Sequence, residues 1–595
     1  MRIILTFVFL VSFYVVVISS PKDSLNLGFD DNLTKITSWV KGSNSCLFKL
    51  DNKIKKSGLN SLRLSFSSDA YSILGASAKL CQSFLLPEGK KNINISVFTK
   101  GDKKWNACLN IVCLNNLEDI VSTKKLQINQ TDDWARDSIN IDVNDAKILS
   151  LTIELNLDKK YTFGDEVTPI WIDQIEIKID NVDINHFEQT IQCNDLKKQL
   201  RENKVSFSSP LMPEISAINE LKDKRIIALG ETIHGSTTIN KIAFQVIQNL
   251  VEKEHVKLIM FEFPIDLVMH WNNYISVKSS ESIDQFLPVD YLCDPIELKN
   301  LLLWLRNYNM VNKDKVIVMG IDLSGSYKAD FYLKRFLYQL EPSPEIDSMA
   351  QNLVSYHDDI YAIAHDYLVN HWSLFKGKMG NDQLLVFDQA LKGIAWLIYP
   401  PQELYDGYRD YMLAQNAILG IDSLLKKNEK AIIYSHMQHA SKICSNDKGE
   451  TYPPMGSYLN KKYGKDYYTI GLLAGEGTFT ANNDTMIVDN CIVNRPVSGS
   501  LEKFCLDMND DFFFSALSYN QAFNNICYYR YQGAHPGEKS FYLGDINKRM
   551  DALIFTKSSI GFKIPKDWPI MIRDLMTYQS MKMLERQKND KAKWH

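Results

Sequence analysis

Arg225-Ile-Ile-Ala-Leu-Gly-Glu-Thr-Ile-His-Gly-Ser236 is the stretch on which the reading of this chain turns. Its first half, Arg225 to Gly230, is a continuous apolar run, the pattern of a strand buried on both faces of a parallel sheet. Ala243, Ile247, Leu250 and Val251 then follow at helical spacing, and Val256-Lys-Leu-Ile-Met-Phe261 supplies a second strand. Together they close a βαβ unit. Gly230 and Gly235 let the backbone turn away from the strand. Ser236 or Thr237 is suited to cap the helix. His234 is thereby placed beside a helix N-terminus, where the dipole favours the uncharged imidazole.

Outward from this unit, further strands are expected at Lys315–Gly320, Lys430–Ser435, Tyr467–Leu472 and Asp551–Thr556. The expectation is an α/β domain over 190–590 with about six mostly parallel strands and helices on both faces. Residues 324–429 hold amphipathic segments but no strand pattern, and read as a helical insertion over the sheet's edge. Ionisable residues follow the strands: Glu231 and His234 the first, Glu262 the second, Asp322 the third, His436 and His439 the fourth. Open parallel sheets carry their sites beyond these carboxyl ends. A neutral histidine held by a carboxylate can activate water, so His234 reads as the base, with Glu231 and Glu262 as orienting or proton-relaying partners. His436 would stabilise an oxyanion or protonate a leaving alcohol.

The first part of the chain has a different grammar. Ser61-Leu-Arg-Leu-Ser-Phe66 and Asn92-Ile-Asn-Ile-Ser-Val-Phe98 alternate polar and apolar residues, as do Leu149–Leu157 and Ile170–Ile179. Period-two strands between polar turns predict an all-β jelly-roll sandwich over 24–185, of carbohydrate-binding type. Trp39 and Trp105 are either sugar platforms or, more commonly for a sandwich, buried core. A glycan is therefore a candidate partner. Arg2, the apolar run Ile3–Ile18 and Ser19-Ser20 read as a signal peptide over residues 1–19, and imply a secreted or periplasmic protein. The run is shorter than the roughly 20 residues that span a bilayer, so an integral membrane protein is not expected.

Composition is that of a soluble protein, with 45% hydrophobic and 23% charged residues over 595 positions. A net charge of −4 without a basic block gives nucleic acid no electrostatic foothold. The ten cysteines form no CxxC pair; Cys46, Cys81, Cys108 and Cys113 share a region where export would permit disulfides. No GxSxG, GxxxxGK[ST], GxGxxG or HExxH pattern occurs, which removes the usual serine-hydrolase, nucleotide and zincin readings. No cofactor is required. A divalent metal is the alternative, because Glu231-x-x-His234 and His436-x-x-His439 have spacings that can converge on one ion.

At these residues the chain resembles the erythromycin esterase family. The resemblance runs from Gly230-Glu231-x-x-His234-Gly235 and Phe261-Glu262 through Trp304-Leu-Arg-x-Tyr-Asn309 and Gly320-Ile-Asp322. It continues in Arg409-Asp-Tyr-Met-Leu-Ala-x-Asn416, Tyr434-Ser-His436-x-x-His439, Met455-Gly456, Gly471 to Gly477 and Asp551-Ala-Leu-Ile-Phe555. It implies hydrolysis of a carboxylic ester, a macrolide lactone in the best-known members; the jelly-roll half outside the match counts against macrolide antibiotic resistance as the native role. His234 would be the general base, surrounded by Glu231, Glu262 and His436, with Arg409, His439 and Asp322 toward substrate. Two positions depart. Ala243 stands where the family often has arginine, for which Lys241 is the candidate substitute, and Met437 stands where it has asparagine. A metal hydrolase using the same cluster, and a glycan-binding surface protein with a degenerate esterase domain, are the alternatives.

Overall fold

The computed structural model describes residues 25–30, 39–41, 46–66, 77–101, 106–115, 118–129, 131–156, 169–189, 193–207, 219–288, 292–322, 329–353, 360–398, 407–443, 453–482, 487–515, 526–531 and 541–564. The expected signal peptide and Trp105 lie outside them. Among the described residues no helix is long and apolar enough to cross a membrane.

The N-terminal part is a β-sandwich of two antiparallel sheets. One runs in the order Val40–Lys41, Ser77–Leu85, Ile148–Asn156, Asn106–Leu114, Ile120–Gln127. The other runs Cys46–Asp51, Ser61–Phe66, Ile170–Ile179, Lys91–Lys100, Ala135–Val143. Alternation decides the faces: Ile93, Ile95 and Val97 enter the core while Asn92 and Asn94 face outward. Trp39 belongs to that core. It is 2% exposed, stacks on Phe29 at 5.6 Å and donates its indole N–H to the Asn26 carbonyl at 3.2 Å, so it is no sugar platform. Cys81, Cys108 and Cys113 are buried.

The C-terminal sheet is built on six parallel strands: β1 (Ile226–Glu231), β2 (Val256–Pro264), β3 (Ile317–Asp322), β4 (Lys430–His436), β5 (Tyr467–Asn482) and β6 (Ala552–Ser559). Their spatial order is β6-β5-β1-β4-β2-β3. Asp511–Phe514 adds antiparallel to β6, and Val205–Phe207 antiparallel to that strand. One face packs Ile227, Leu229, Phe261 and Ile432 against α1 (Thr237–Glu254), α2 (Ile265–Ile275) and α3 (Pro295–Val311). The other packs Ala228, Met260, Met319 and Ile433 against α4 (Tyr408–Leu424) and α5 (Met437–Ala440).

The expected insertion therefore divides. Its helices between Ala329 and Ile398 build a separate core, in which Leu333, Phe336, Phe375 and Phe387 meet Ile265 and Met269 of α2. Its last helix, α4, lies directly on the sheet and belongs to the two-faced fold, because Leu413, Ala414, Ala417 and Ile421 form a stripe at helical spacing.

Sandwich and sheet domain share a small core in which Leu114 and Ile148 meet Ile526, Tyr528, Phe541 and Leu543. Beside it, Arg549 donates through Nη1 and Nη2 to the two Glu118 carboxylate oxygens at 2.7 and 2.8 Å.

Candidate active site

The site forms where the chain switches faces. The segment after β1 leads into α1 on one face, while α5 follows adjacent β4 on the other, which opens a crevice at the strand ends. Glu231 and His436 are register partners there. Gly230 is required by close approach rather than by a turn. A Cβ on it would lie 2.5 Å from Met437 Sδ and 2.9 Å from Met437 Cα, so α5 can rest on the strand only over a glycine. The turn is made at Gly235, with φ 67°, and Ser236 Oγ caps α1 by accepting from the Ile239 N–H at 3.2 Å.

This turn brings His234 Nδ1 to 2.7 Å from Glu231 Oε1. The His234 ring lies 4.5 Å from that of His436, at 34°. His436 caps α5, its Nδ1 accepting from the Gln438 N–H at 3.4 Å, so its ring proton sits on Nε2 and that nitrogen is a donor.

Glu262 adjoins this group from β2. Its Oε2 accepts the His436 backbone N–H at 2.7 Å and its Oε1 accepts Arg409 Nη2 at 2.7 Å. Arg409 also binds Asp322 through Nε (3.2 Å) and Nη2 (2.6 Å), and its Nη1 lies 2.8 Å from His439 Nε2. His439 Nδ1 in turn faces Asp410 Oδ1 at 2.8 Å. A guanidinium keeps its protons, so Nε2 must offer a lone pair and the contact requires neutral His439 with its proton on Nδ1. The field pulls the other way. Burial opposes charge on this ring, but Asp410 and Glu262 outweigh burial and raise its pKa. The 2.8 Å contact is one that only the neutral ring can make, and protonation of His439 would break it.

The two glutamates are driven apart. Burial pushes the Glu231 carboxyl up, against the opposing pull of His234 and Tyr434. Burial would raise Glu262 as well, but the pull of His439, Arg409 and His234 on its ionised form outweighs burial and holds Glu262 below the ordinary carboxylate value. Divergent acidities of neighbouring carboxyls are what acid–base chemistry needs.

The structure thus brings together Glu231, His234, Glu262, Asp322, Arg409, His436 and His439. Lys241 does not join them. It lies on the solvent side of α1, with Nζ 3.4 Å from Glu297 of α3, whereas position 243 faces the apolar core. A side chain two residues away points across the helix from the vacated arginine position. As for a metal, among the described residues no three His, Cys, Asp or Glu side chains are grouped to hold an ion. In the two expected pairs, His234 is turned to Glu231, and His439 is turned to Asp410 and Arg409.

Sequence reading missed Tyr434 and Asn240, which hold the far oxygen of Glu231, and did not single out Asp410. Tyr434 was legible in principle: two residues before His436 in one strand, it shares that residue's face. Asn240 is a lone amide in the buried stripe of Ile239, Ala243, Phe244 and Ile247.

Comparison with known proteins bears on the family and the fold. The erythromycin esterase family model matches residues 380–559, a span that includes Arg409, Asp410, His436 and His439 and begins after β1, β2 and β3. An erythromycin esterase type II of Escherichia coli is 25% identical over 336 residues, covering 47% of this chain and 78% of that protein. Among solved structures, a Bacillus cereus protein aligns with TM-score 0.51 at 17% identity, over 63% of this chain and 100% of its own. A succinoglycan biosynthesis protein aligns with TM-score 0.51 at 16% identity, over 63% of this chain and 99% of its own. These two likenesses show a shared fold. Residues 380–559 are accordingly similar to the erythromycin esterase family.

Proposed function

We propose that the protein hydrolyses a carboxylic ester or lactone by a water that His234 activates. The observation that carries this is the meeting of Glu231, His234 and His436 at one strand edge, with 2.7 Å between Glu231 and His234 and 4.5 Å between the two rings. Glu231 takes the Nδ1 proton of His234 in a hydrogen bond, and Nε2 accepts a proton from water. The resulting hydroxide attacks the carbonyl carbon, and His436 Nε2–H donates to the oxyanion. When the tetrahedral intermediate collapses, the proton on His234 passes to the leaving alkoxide, so the ring returns to its starting state.

Glu262, ionised, fixes the His436 backbone and Arg409. Arg409, with 42% of its side chain exposed above buried Glu262 and Asp322, would meet a polar group of the substrate, beside His439. No cofactor is assigned to this reaction. Purified protein should cleave an activated ester or a macrolide lactone, and His234→Ala should abolish turnover; an undiminished rate in that variant defeats the assignment. Full activity after chelation separates this reading from the metal-dependent one.

The expected signal peptide would place the reaction outside the cytoplasm, and the sandwich domain would add attachment to a glycan. A specific face supports attachment: Trp171 and Phe98 are half-buried on the outer side of the second sheet, with Arg136 5.7 Å from the Phe98 ring and an Asn94–Asn140 amide pair further along the same face. Retention of the full chain on polysaccharide, lost on Trp171→Ala, tests it.

A further inference from the structure

The groups behind Glu231 form a chain of hydrogen bonds whose direction can be read atom by atom. The Asp294 backbone N–H, a donor only, lies 2.8 Å from Asn240 Oδ1, so that amide must present its NH2 on the opposite side. There Asn240 Nδ2 stands 2.6 Å from Tyr434 Oη and 3.4 Å from Glu231 Oε2. A phenol that accepts from Asn240 has one proton to give, and Tyr434 gives it to Glu231 Oε2. That oxygen is thus occupied by donors. Any proton shared between Glu231 and His234 must lie on the other oxygen's line, between Oε1 and Nδ1.

We propose that Tyr434 and Asn240 are positioning residues that act through Glu231 to keep the His234 proton on Nδ1, so that the Nε2 lone pair faces the water. The inference rests on the hydrolase reading, but it makes a separate claim about where one proton sits. Two donors on Oε2 favour the carboxylate form of Glu231. Without them burial would place a proton on Oε1, whose O–H would donate to Nδ1. The ring proton would then move to Nε2, and that tautomer cannot take a proton from water. The groups facing Glu231 are His234 from the turn, Asn240 from α1, Tyr434 and His436 from β4, and Glu262 from β2, whose charge adds to burial in raising Glu231. The Tyr434 ring is held edge-on between Phe244 at 5.5 Å and Phe261 at 6.4 Å, so its hydroxyl has one place to go.

Tyr434→Phe keeps the ring and removes the hydroxyl. On a 4-nitrophenyl ester the acid limb of kcat/KM should move to higher pH, with a loss of about tenfold or more on that limb, the usual order for a lost hydrogen bond to a charged group. KM should change little. Asn240→Ala should shift the limb in the same direction by less. Nitrogen NMR of imidazole-labelled protein at mildly alkaline pH should show His234 protonated at Nδ1 in the wild type and moved toward Nε2–H in Tyr434→Phe. An unmoved acid limb in folded Tyr434→Phe, or a wild-type His234 carrying its proton on Nε2, overturns the proposal. If Tyr434→Phe does not fold, the wild-type spectrum alone decides. If the wild type cleaves no ester, the hydrolase reading falls while the spectrum still judges the proton's position.

Discussion

Gly230→Ala adds one methyl group to β1 and should disable a residue on the neighbouring strand, His436. The new Cβ would sit 2.9 Å from the Met437 Cα and 3.2 Å from the Ala440 Cβ, as well as 2.5 Å from Met437 Sδ. The sulfur can swing aside; the backbone atom cannot. Reaching ordinary van der Waals separation requires α5 to lift by roughly half an ångström or more. Overpacking of this kind costs about 1–3 kcal/mol of stability. His436 caps α5 and precedes Met437, so it moves with the helix. A displacement of about 1 Å in a reacting group costs about a hundredfold in rate. The assay is kcat/KM on an activated ester together with a thermal melt. A fall of about ten- to a hundredfold in a protein that remains folded is expected. Adding Met437→Ala should recover little, because the clash with the α5 backbone remains. Wild-type turnover in folded Gly230→Ala would refute the claim that this glycine sets the position of His436.

Four other outcomes follow from the same contacts. Glu262 and Asp410 have folded pKa values below their ordinary values of 4.5 and 3.8, although burial opposes both shifts, so the folded state binds fewer protons than the unfolded one. Their contribution to stability is complete above about pH 4.5 and should be lost as pH falls through the carboxylate range, as urea titrations at stepped pH would record. Glu231 has the opposite sign: raised by burial, it favours folding at low pH and loses that contribution as pH rises above about 4.5, so Glu231→Gln should gain on wild type in thermal melts as pH rises from there. Arg409→Lys keeps the charge but loses the fork on Asp322 and the bond to His439, and should lower kcat/KM by about tenfold or more. Glu118→Ala strands the buried Arg549 guanidinium at the domain junction, a loss of about 3–5 kcal/mol that should appear as earlier unfolding in a calorimetric scan.

The parallel strands were legible because burial on both faces writes itself as an uninterrupted apolar run. β1, β2 and β4 lie close to their expected places, and Glu231, Glu262 and His436 are found at or near the strands' carboxyl ends. β5 was underestimated: it continues to Asn482, through Gly475 and Gly477, where glycines let β6 come close and hide the strand pattern. Val205–Phe207 and Asp511–Phe514 were missed because each is too short to show a period and is fixed only by pairing between segments far apart in the chain. The last helix of the expected insertion was misplaced for a similar reason. Its apolar stripe announces a helix, but whether that stripe meets other helices or the sheet is decided by tertiary packing. In the site, ionisable groups at strand ends could be read from position, whereas Tyr434 and Asn240 sit among apolar residues and look like core until their partner is known.

The two departures from the family pattern bear on the degenerate-esterase alternative, and their surroundings weaken it. Met437 is fully buried and packs on Gly230 and against the cluster of Leu473, Phe504 and Phe555, behind α5 rather than in the crevice. Ala243 is fully buried as well, in the apolar cluster with Phe244 and Ile247. Neither removes a hydrogen bond from Glu231, His234, Glu262 or His436, whose contacts are made by other residues. A site drifting without selection for catalysis has no physical reason to keep two buried carboxyls of opposed acidity, since each costs stability unless its partners stay in place. The arrangement favours a site that still performs proton transfer. Position 243, fully buried among apolar side chains, then bears on packing rather than on which substrate is held, and an ester and lactone panel run with wild type and Ala243→Val is the informative comparison. Equal loss on every substrate, with an earlier thermal melt, is the expected result of overpacking, and a change in preferred substrate in a folded variant would refute it.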